Sequence, residues 1–173
     1  MHNILKKYQI NEVWHFTDNE NLTSIVQGKG LFSLAELERR GLIIGKPGGN
    51  QWSHDADKRK GVHEYVHLAF VDNHPMHFAA KQDGRITTPM WLKIDSSILL
   101  GEDVRFSCDV SNKAGVSILT PAEAIEQIDF EVLFTRANWK DPEIMKRLLA
   151  ARKSEILIPT MVPINKILEV KIG

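Results

Sequence analysis

The stretch Glu12–Val26, EVWHFTDNENLTSIV, contains the change of local structure that decides the fold. The apolar and aromatic run Val13–Phe16 predicts a β-strand, and Thr17 or Asp18 is suited to cap the helix that follows it. The end of a strand offers free backbone groups, and the first turn of a helix favours an anion. On the residues alone, a capped helix beside a half-buried His15 is the plainer interpretation, and an anion-binding cleft is the alternative.

Short strand-like segments recur along the rest of the chain. They are rich in β-branched, aromatic and other apolar side chains and are separated by turn or helix signals. These segments are EYVHLAFV (64–71), MWLKI (90–94), VRFSCDV (104–110), FEVLF (130–134), EILIP (155–159) and KILEVKI (166–172). Strands therefore outnumber strand–helix–strand alternations, which predicts an α+β fold with a mixed or antiparallel sheet.

Helix-start signals lie between these strands. Ser33 with Glu36, and Thr120 with Glu123, match the spacing of a capping box. The predicted helices lie in SLAELERRG (33–41), HPMHFAAKQ (74–82), TPAEAIEQI (120–128) and DPEIMKRLLAARK (141–153), and GKPGGN (45–50) is a loop by composition. Because no repeat or linker interrupts this order, residues 1–173 are predicted to form a single domain.

The composition is that of an ordinary globular protein of 173 residues, with 22 basic and 22 acidic side chains. A zero charge balance argues against a chain-wide electrostatic grip on nucleic acid, although basic clusters at 39–40, 58–60 and 146–153 allow a local groove. The chain has one cysteine, no apolar run long enough for a bilayer and no secretory signal pattern at its start. We therefore expect a cytoplasmic protein without a membrane partner.

The segment HEYVH (63–67) matches the H-E-x-x-H zinc signature. That signature requires a helix, on which both histidines reach one metal ion. Here the segment leads into a strand-like run, and four residues along a strand His63 and His67 would be roughly 13 Å apart. No metal site is therefore predicted, and a zinc-dependent hydrolase remains an alternative.

Cys108 and Glu155 are two further candidates for chemistry. Cys108 lies in a strand-like segment, where we expect a small buried side chain rather than a nucleophile. Glu155 opens an apolar strand directly after a basic helix end. Such a carboxylate usually faces solvent or caps the helix with its neighbours. The alternative is a carboxylate at the rim of a cleft, where it hydrogen-bonds a sugar hydroxyl and stabilises positive charge on the sugar.

Three stretches, in this order, resemble the DarT family of nucleic-acid ADP-ribosyltransferases. The first has a His-x-Thr strand end and an Asn-Leu pair, the second an arginine before a His-acid-Tyr-Val strand, and the third a Glu-bearing strand after a helix. They are VWHFTDNENLTSIVQGKGLFS (13–33), HDADKRKGVHEYVHLAFVDNHPMHFA (54–79) and RKSEILIPTMVPINKIL (152–168).

The resemblance implies an ADP-ribosyltransferase (PARP-like) fold, a split and mostly antiparallel sheet with flanking helices and a central NAD cleft. It also implies that the His-acid-Tyr-Val sequence works without a metal. The implied catalytic residues are Glu155 and Arg59, and the implied NAD-binding residues are His15, Thr17, Asn21, Leu22, Tyr65 and Arg59.

The implied reaction is NAD-dependent mono-ADP-ribosylation of a base in single-stranded DNA. The implied role is the toxin of a toxin–antitoxin or phage-defence system, with a cognate antitoxin protein as a candidate partner. Because residues 84–139 resemble the family only in layout, RNA stays open as the acceptor, and protein is a further alternative. A non-catalytic nucleic-acid-binding module is another interpretation, against which the joint presence of His15, Arg59 and Glu155 argues.

Overall fold

The structure is a computed structural model that describes residues 1–43 and 45–173. Helices alternate irregularly with short strands along the chain. The helices are α1 (His2–Tyr8), α2 (Leu22–Gln27), α3 (Leu34–Arg39), α4 (Gln51–Lys60), α5 (Pro75–Gln82), α6 (Pro121–Gln127), α7 (Phe130–Phe134) and α8 (Pro142–Ala151). The strands are β1 (Glu12–Asp18), β2 (Gly30–Phe32), β3 (Tyr65–Ala69), β4 (Pro89–Asp95), β5 (Arg105–Ser107), β6 (Glu155–Pro159), β7 (Met161–Pro163) and β8 (Ile167–Ile172).

The main sheet has six strands in the order β5-β6-β3-β1-β4-β8, and every neighbouring pair is antiparallel. Strands β1 and β4 pair along their whole length, from Glu12↔Asp95 to Asp18↔Pro89. In contrast, the described register between β1 and β3 consists of Trp14↔Ala69 alone, so the sheet opens beyond that point. This antiparallel, split sheet confirms the predicted α+β fold class.

Alternation along β3 and β6 decides which side chains enter the core. Val66 and Leu68 of β3, and Ile156 and Ile158 of β6, are all at most 3% exposed and belong to one apolar cluster. Because successive residues of a strand point to opposite faces, the alternate positions on these strands point away from that cluster. Strands β2 and β7 form a separate small sheet beside this part of the fold.

Two local predictions are wrong, each for a clear reason. FEVLF (130–134) is helix α7 rather than a strand, because Asp129 caps it by accepting from the backbone N–H of Val132 and Phe130 packs against Tyr8. Periodicity cannot separate so short an apolar run from a strand. The Ser33–Glu36 box forms only by half: Ser33 accepts from Glu36 N–H, whereas the Glu36 carboxylate is taken by arginines of its own helix.

The other helix predictions agree with the structure. Thr120 and Glu123 form the complete capping box at α6, and Asp141 caps α8 with Pro142 in its first turn. Helix α4, which carries part of the site described below, was not predicted because its sequence, QWSHDADKRK, has no clear apolar stripe. Within the described residues, no helix combines the length and the apolar character needed to cross a bilayer.

Candidate active site

The opening of the sheet is a cavity of about 450 Å³, within the usual size range of small-molecule sites. Elements from all parts of the chain line it, including β1, the 45–50 loop, α4, β3 and β6. The predicted site residues that line it are His15, Thr17, Asn21, Tyr65 and Glu155. Of the other two, Leu22 is half-buried and packs against the apolar core, and Arg59 is exposed on α4.

Glu155 is the buried carboxylate of this cavity, with 6% of the residue exposed. Its Oε2 atom accepts a hydrogen bond from the backbone N–H of Ser111 (3.0 Å) and lies 3.2 Å from His67 Nδ1. Its Oε1 atom is 3.9 Å from Nε2 of His74 and accepts no hydrogen bond from the described residues. One oxygen is therefore fixed by hydrogen bonds, and the other has only the longer contact with His74.

Burial alone would raise the pKa of Glu155, because a charged carboxylate loses its hydration. The hydrogen bond and the charge of His67 outweigh this effect, so the pKa of Glu155 lies well below its ordinary value. In the same pair, burial works to lower the pKa of His67, but the bond to Glu155 and its charge raise it above the ordinary histidine value. Each member of the pair therefore favours the charged form of the other.

His15, on β1, is held in one orientation by β3. Its Nδ1 atom lies 2.9 Å from the carbonyl oxygen of His67, and a carbonyl only accepts, so Nδ1 carries the proton. Burial lowers the pKa of His15 to about 4, which keeps the ring neutral. The Nε2 atom of His15 is consequently a hydrogen-bond acceptor, suited to a hydroxyl group of a ligand in the cavity.

Asn21 braces one wall of the cavity. Its Nδ2 atom donates to Thr17 Oγ1 (3.1 Å) and to the carbonyl of Lys46 (2.7 Å), and its Oδ1 accepts from Lys46 N–H (3.0 Å). These bonds fasten the 45–50 loop to the end of β1. Gly48 lies in the same loop, and a Cβ atom there would meet the Phe16 ring at 3.0 Å, so a larger residue at this position would require the ring to shift.

Replacing Asn21 by alanine is expected to lower the free energy of unfolding by about 1–3 kcal/mol, because Lys46 N–H and C=O lose their partner in a partly buried place. Urea denaturation would measure this loss. Asn19→Ala is the matched control, since Asn19 is exposed beside the same helix start. Equal stability of both variants would contradict the bracing role.

Helix α4 turns Ser53, His54 and Asp57 toward the cavity. The Oδ1 atom of Asp57 is buried without a hydrogen bond from the described residues, and burial raises the pKa of this carboxyl group. Two residues along a helix correspond to a rotation of about 200°, so Arg59 points nearly opposite to Asp57. The structure therefore does not bring Arg59 to the cavity wall with Glu155.

The zinc alternative required a helix at HEYVH, and the structure has a 3₁₀ turn (Val62–Glu64) followed by strand β3. Within residues 1–43 and 45–173, no group of three or more His, Cys, Asp or Glu side chains is arranged to hold a metal ion. Cys108 is half-buried, and burial raises the pKa of its thiol, so it is a poor nucleophile.

Sequence reasoning missed three residues around Glu155. The zinc signature indicates His67 only as a metal ligand, and no sequence motif singles out Ser111 or Asp57. A signal existed for His67, because position 67 alternates with Val66 and Leu68 and so faces away from the core. Nothing in the sequence places Ser111 beside Glu155, since the two are 44 residues apart.

Comparisons with known proteins agree with this architecture. A family model described as "ssDNA thymidine ADP-ribosyltransferase, DarT" matches residues 14–172. A search of curated proteins gave no match.

Solved structures of DarT proteins share the fold. DarT of Thermus sp. 2.9 in complex with ADP-ribosylated ssDNA has a TM-score of 0.69 at 17% identity, covering 94% of this chain and 81% of that one. The same protein in complex with NAD+ has a TM-score of 0.63 at 17% identity, with coverages of 94% and 81%. DarTG of Thermosipho africanus in complex with ADP-ribose has a TM-score of 0.72 at 20% identity, and the match covers 94% of this chain and 44% of that one.

The family model extends over nearly the whole chain, and it includes every predicted site residue from His15 to Glu155. The structural neighbours support the same split antiparallel sheet. The family inferred from three short stretches is thereby confirmed: the chain belongs to the DarT family of ssDNA thymidine ADP-ribosyltransferases.

Proposed function

We propose that this chain transfers the ADP-ribose of NAD to a thymine base in single-stranded DNA, with Glu155 as its catalytic carboxylate. The observation that carries the proposal is the buried carboxyl group of Glu155 in the opening of the sheet, in the same cavity as His15 and Thr17. The family description supplies the acceptor. Relatives solved with NAD+ and with ADP-ribosylated ssDNA support both substrates.

In this transfer, the bond between ribose C1′ and the nicotinamide nitrogen breaks, and its electron pair leaves with nicotinamide. The base nitrogen forms the new bond to C1′, and its proton passes to water. The ribose passes through a state with positive charge, which a neighbouring carboxylate stabilises. A carboxylate with a depressed pKa is a weak base, so stabilising this charge is the larger part of the role proposed for Glu155.

The NAD-binding roles are proposed for the residues that line the cavity. The neutral His15 ring offers Nε2 to a ribose hydroxyl. Thr17 Oγ1 accepts from Asn21 and keeps its own proton to donate, while Asn21 itself acts through the 45–50 loop. Tyr65 contributes a ring to the wall on β3. Leu22 supports the helix that carries this wall by packing against the core.

Arg59 is proposed to bind phosphate, and its surroundings support this. Among the three basic residues at the end of α4, Lys58 is paired with Glu38 (2.6 Å), and Lys60 donates to the carbonyls of Lys113 (3.1 Å) and Val116 (2.5 Å). Arg59 makes no ion pair or hydrogen bond with a described residue. A free guanidinium group is suited to a phosphate, either of NAD or of the DNA backbone.

Arg59→Gln is expected to lower kcat/KM about tenfold to a hundredfold, the usual effect of losing one charge-assisted hydrogen bond. If the phosphate belongs to DNA, the salt dependence of DNA binding also becomes shallower. Steady-state transfer at several salt concentrations measures both. Arg136→Gln, at an exposed place outside the cavity, is the matched control. An Arg59→Gln enzyme with unchanged kinetics would remove Arg59 from the site.

The proposed function is tested with labelled NAD and three acceptors offered in parallel: single-stranded DNA, single-stranded RNA and bulk protein. Oligonucleotides that contain thymine, and matched ones that lack it, separate the base from the backbone. Label on thymine-containing DNA alone is the expected result. Label on RNA or protein would change the acceptor, and absence of label with all three would overturn the proposal.

The proposed role in the cell is that of a toxin in a toxin–antitoxin or phage-defence system, acting in the cytoplasm as a single domain. It is supported by the chemistry, because a bulky ADP-ribose on a template base obstructs base pairing. Induced expression is expected to stop growth, and the Glu155→Gln chain is expected to be tolerated. Equal growth with both chains would contradict the role.

A further inference from the structure

We propose that His67 is a positioning residue that acts through Glu155: as an imidazolium it keeps the carboxylate ionised and holds its Oε2 atom. This inference rests on the proposed function, in which Glu155 is the catalytic carboxylate. It adds a second charged group to the site and predicts how transfer depends on pH.

The partners of His67 determine its protonation state. Its Nδ1 atom lies 3.2 Å from Glu155 Oε2, and its Nε2 atom lies 3.1 Å from the carbonyl oxygen of Val62. Both partners accept hydrogen bonds and neither can donate one, once Glu155 is ionised. A neutral imidazole satisfies one acceptor, and only the imidazolium satisfies both.

Ser111 completes the arrangement. Its backbone N–H donates to Glu155 Oε2 (3.0 Å), and its Oγ lies 3.3 Å from His67 Nδ1. Two donors therefore meet at one carboxylate oxygen, and they fix the torsion angle of the carboxyl group. The Oε1 atom, without a bond from the described residues, is left to interact with the ribose.

Four titratable side chains from different parts of the fold surround the His67 ring. Asp57 of α4 and Glu155 of β6 favour the imidazolium, while His15 of β1 and His74 disfavour it. The Nδ1 atom of His74 accepts from Met76 N–H, and burial lowers the pKa of His74. His15 is neutral. Glu155 and Asp57 therefore both favour a positive charge on the His67 ring.

The Glu155–His67 pair determines how the rate of transfer is expected to change with pH. The carboxylate of Glu155 stays ionised to lower pH than an ordinary glutamate, because His67 is charged beside it. The imidazolium keeps its proton to higher pH than an ordinary histidine, because Glu155 is charged beside it. Transfer by the wild-type enzyme is thus expected to be flat from pH 5 to neutrality and to decline in the alkaline range as His67 loses its proton.

The first experiment measures the protonation state of His67 directly and does not depend on enzyme activity. Nitrogen-correlated NMR of the ligand-free protein is expected to show both ring protons of His67 at pH 8, well above the ordinary pKa of a histidine side chain. In the Glu155→Gln chain, His67 is expected to titrate at least one unit lower. A His67 that is neutral at pH 7 in the wild-type protein would overturn the proposal.

The second experiment measures transfer against pH for wild type, His67→Gln and the control His2→Gln. Glutamine keeps a donor toward Glu155 but carries no charge, so the acid limb is expected to move up by at least about one unit, and the rate at a pH on that limb to fall about tenfold. KM for NAD is expected to change less than the rate does. The control is expected to follow wild type.

The outcomes separate the two proposals. A His67→Gln profile parallel to wild type overturns the positioning role and leaves the proposed function intact. No transfer by wild type to any acceptor overturns the proposed function, while the NMR titration still reports on the charge pair. If His67→Gln fails to fold, the titrations of wild type and Glu155→Gln decide the case.

Discussion

Glu155→Gln is expected to reduce ADP-ribose transfer by roughly 10²–10³-fold, the usual effect of removing a group that stabilises charge in the transition state. The amide has nearly the same shape, so the packing around the start of β6 is retained. His67 loses its counter-ion, but a histidine can give up its proton, so the variant is not left with a permanent buried charge. The fold is therefore expected to survive the change.

The measurement is single-turnover transfer to thymine-containing single-stranded DNA, with far-UV circular dichroism and urea denaturation as checks of folding. Glu102→Gln is the matched control, because Glu102 is exposed in the turn before β5 and lies outside the cavity. A folded Glu155→Gln enzyme with wild-type transfer would falsify the role of Glu155 as the catalytic carboxylate. Loss of transfer in the control as well would point to a general defect.

Phe106→Ala is expected to lower the free energy of unfolding by about 3–5 kcal/mol, a large part of the roughly 5–15 kcal/mol that holds a typical domain together. Phe106 is fully buried, and its ring stacks on Phe70 with centroids 6.2 Å apart and planes at 12°. Phe70 in turn meets Phe130 edge to face at 5.3 Å. The cavity left by Phe106 would lie against Phe70, the ring that links this aromatic group.

Urea denaturation at fixed temperature measures this loss. Phe78→Ala is the control, because Phe78 is 56% exposed on α5 and its removal opens no buried cavity. The control is expected to change stability by about 0.5 kcal/mol or less. Similar losses in both variants would show that Phe106 does not anchor the apolar cluster.

Much of the fold could be predicted because the local signals were strong. The strand at Val13–Phe16, the capping box at Thr120 and the Asp141-Pro142 start of α8 each rest on side chains that act on their own backbone. Phe130–Phe134 shows the limit, because five apolar residues fit a strand or a helix, and packing against α1 and α8 decides. Helix α4 shows the other limit: its first residues contain too few apolar side chains to show a period.

The site could be predicted only where family resemblance named its residues. His15 and Glu155 do enter one cavity, as do Thr17, Asn21 and Tyr65, and this required no knowledge of the sheet. The environment of Glu155 was beyond sequence reasoning, because it is assembled from the β3 strand and a loop after β5. The roles of these residues, and that of Arg59 on the outer face of α4, remain predictions for the variants described above.

The meeting of β1 and β3 at Trp14↔Ala69 also has a mechanical consequence. Strands β1, β4 and β8 form one half of the sheet on one side of this contact, and strands β3, β6 and β5 form the other half. A dinucleotide that contacts both His15 on β1 and Glu155 on β6 would connect the two halves of the sheet. By mass action, such a ligand at a hundred times its dissociation constant adds about 2.7 kcal/mol to the folded state. The enzyme without its co-substrate is thus expected to be less stable and more mobile between β1 and β3, next to the proposed site of transfer.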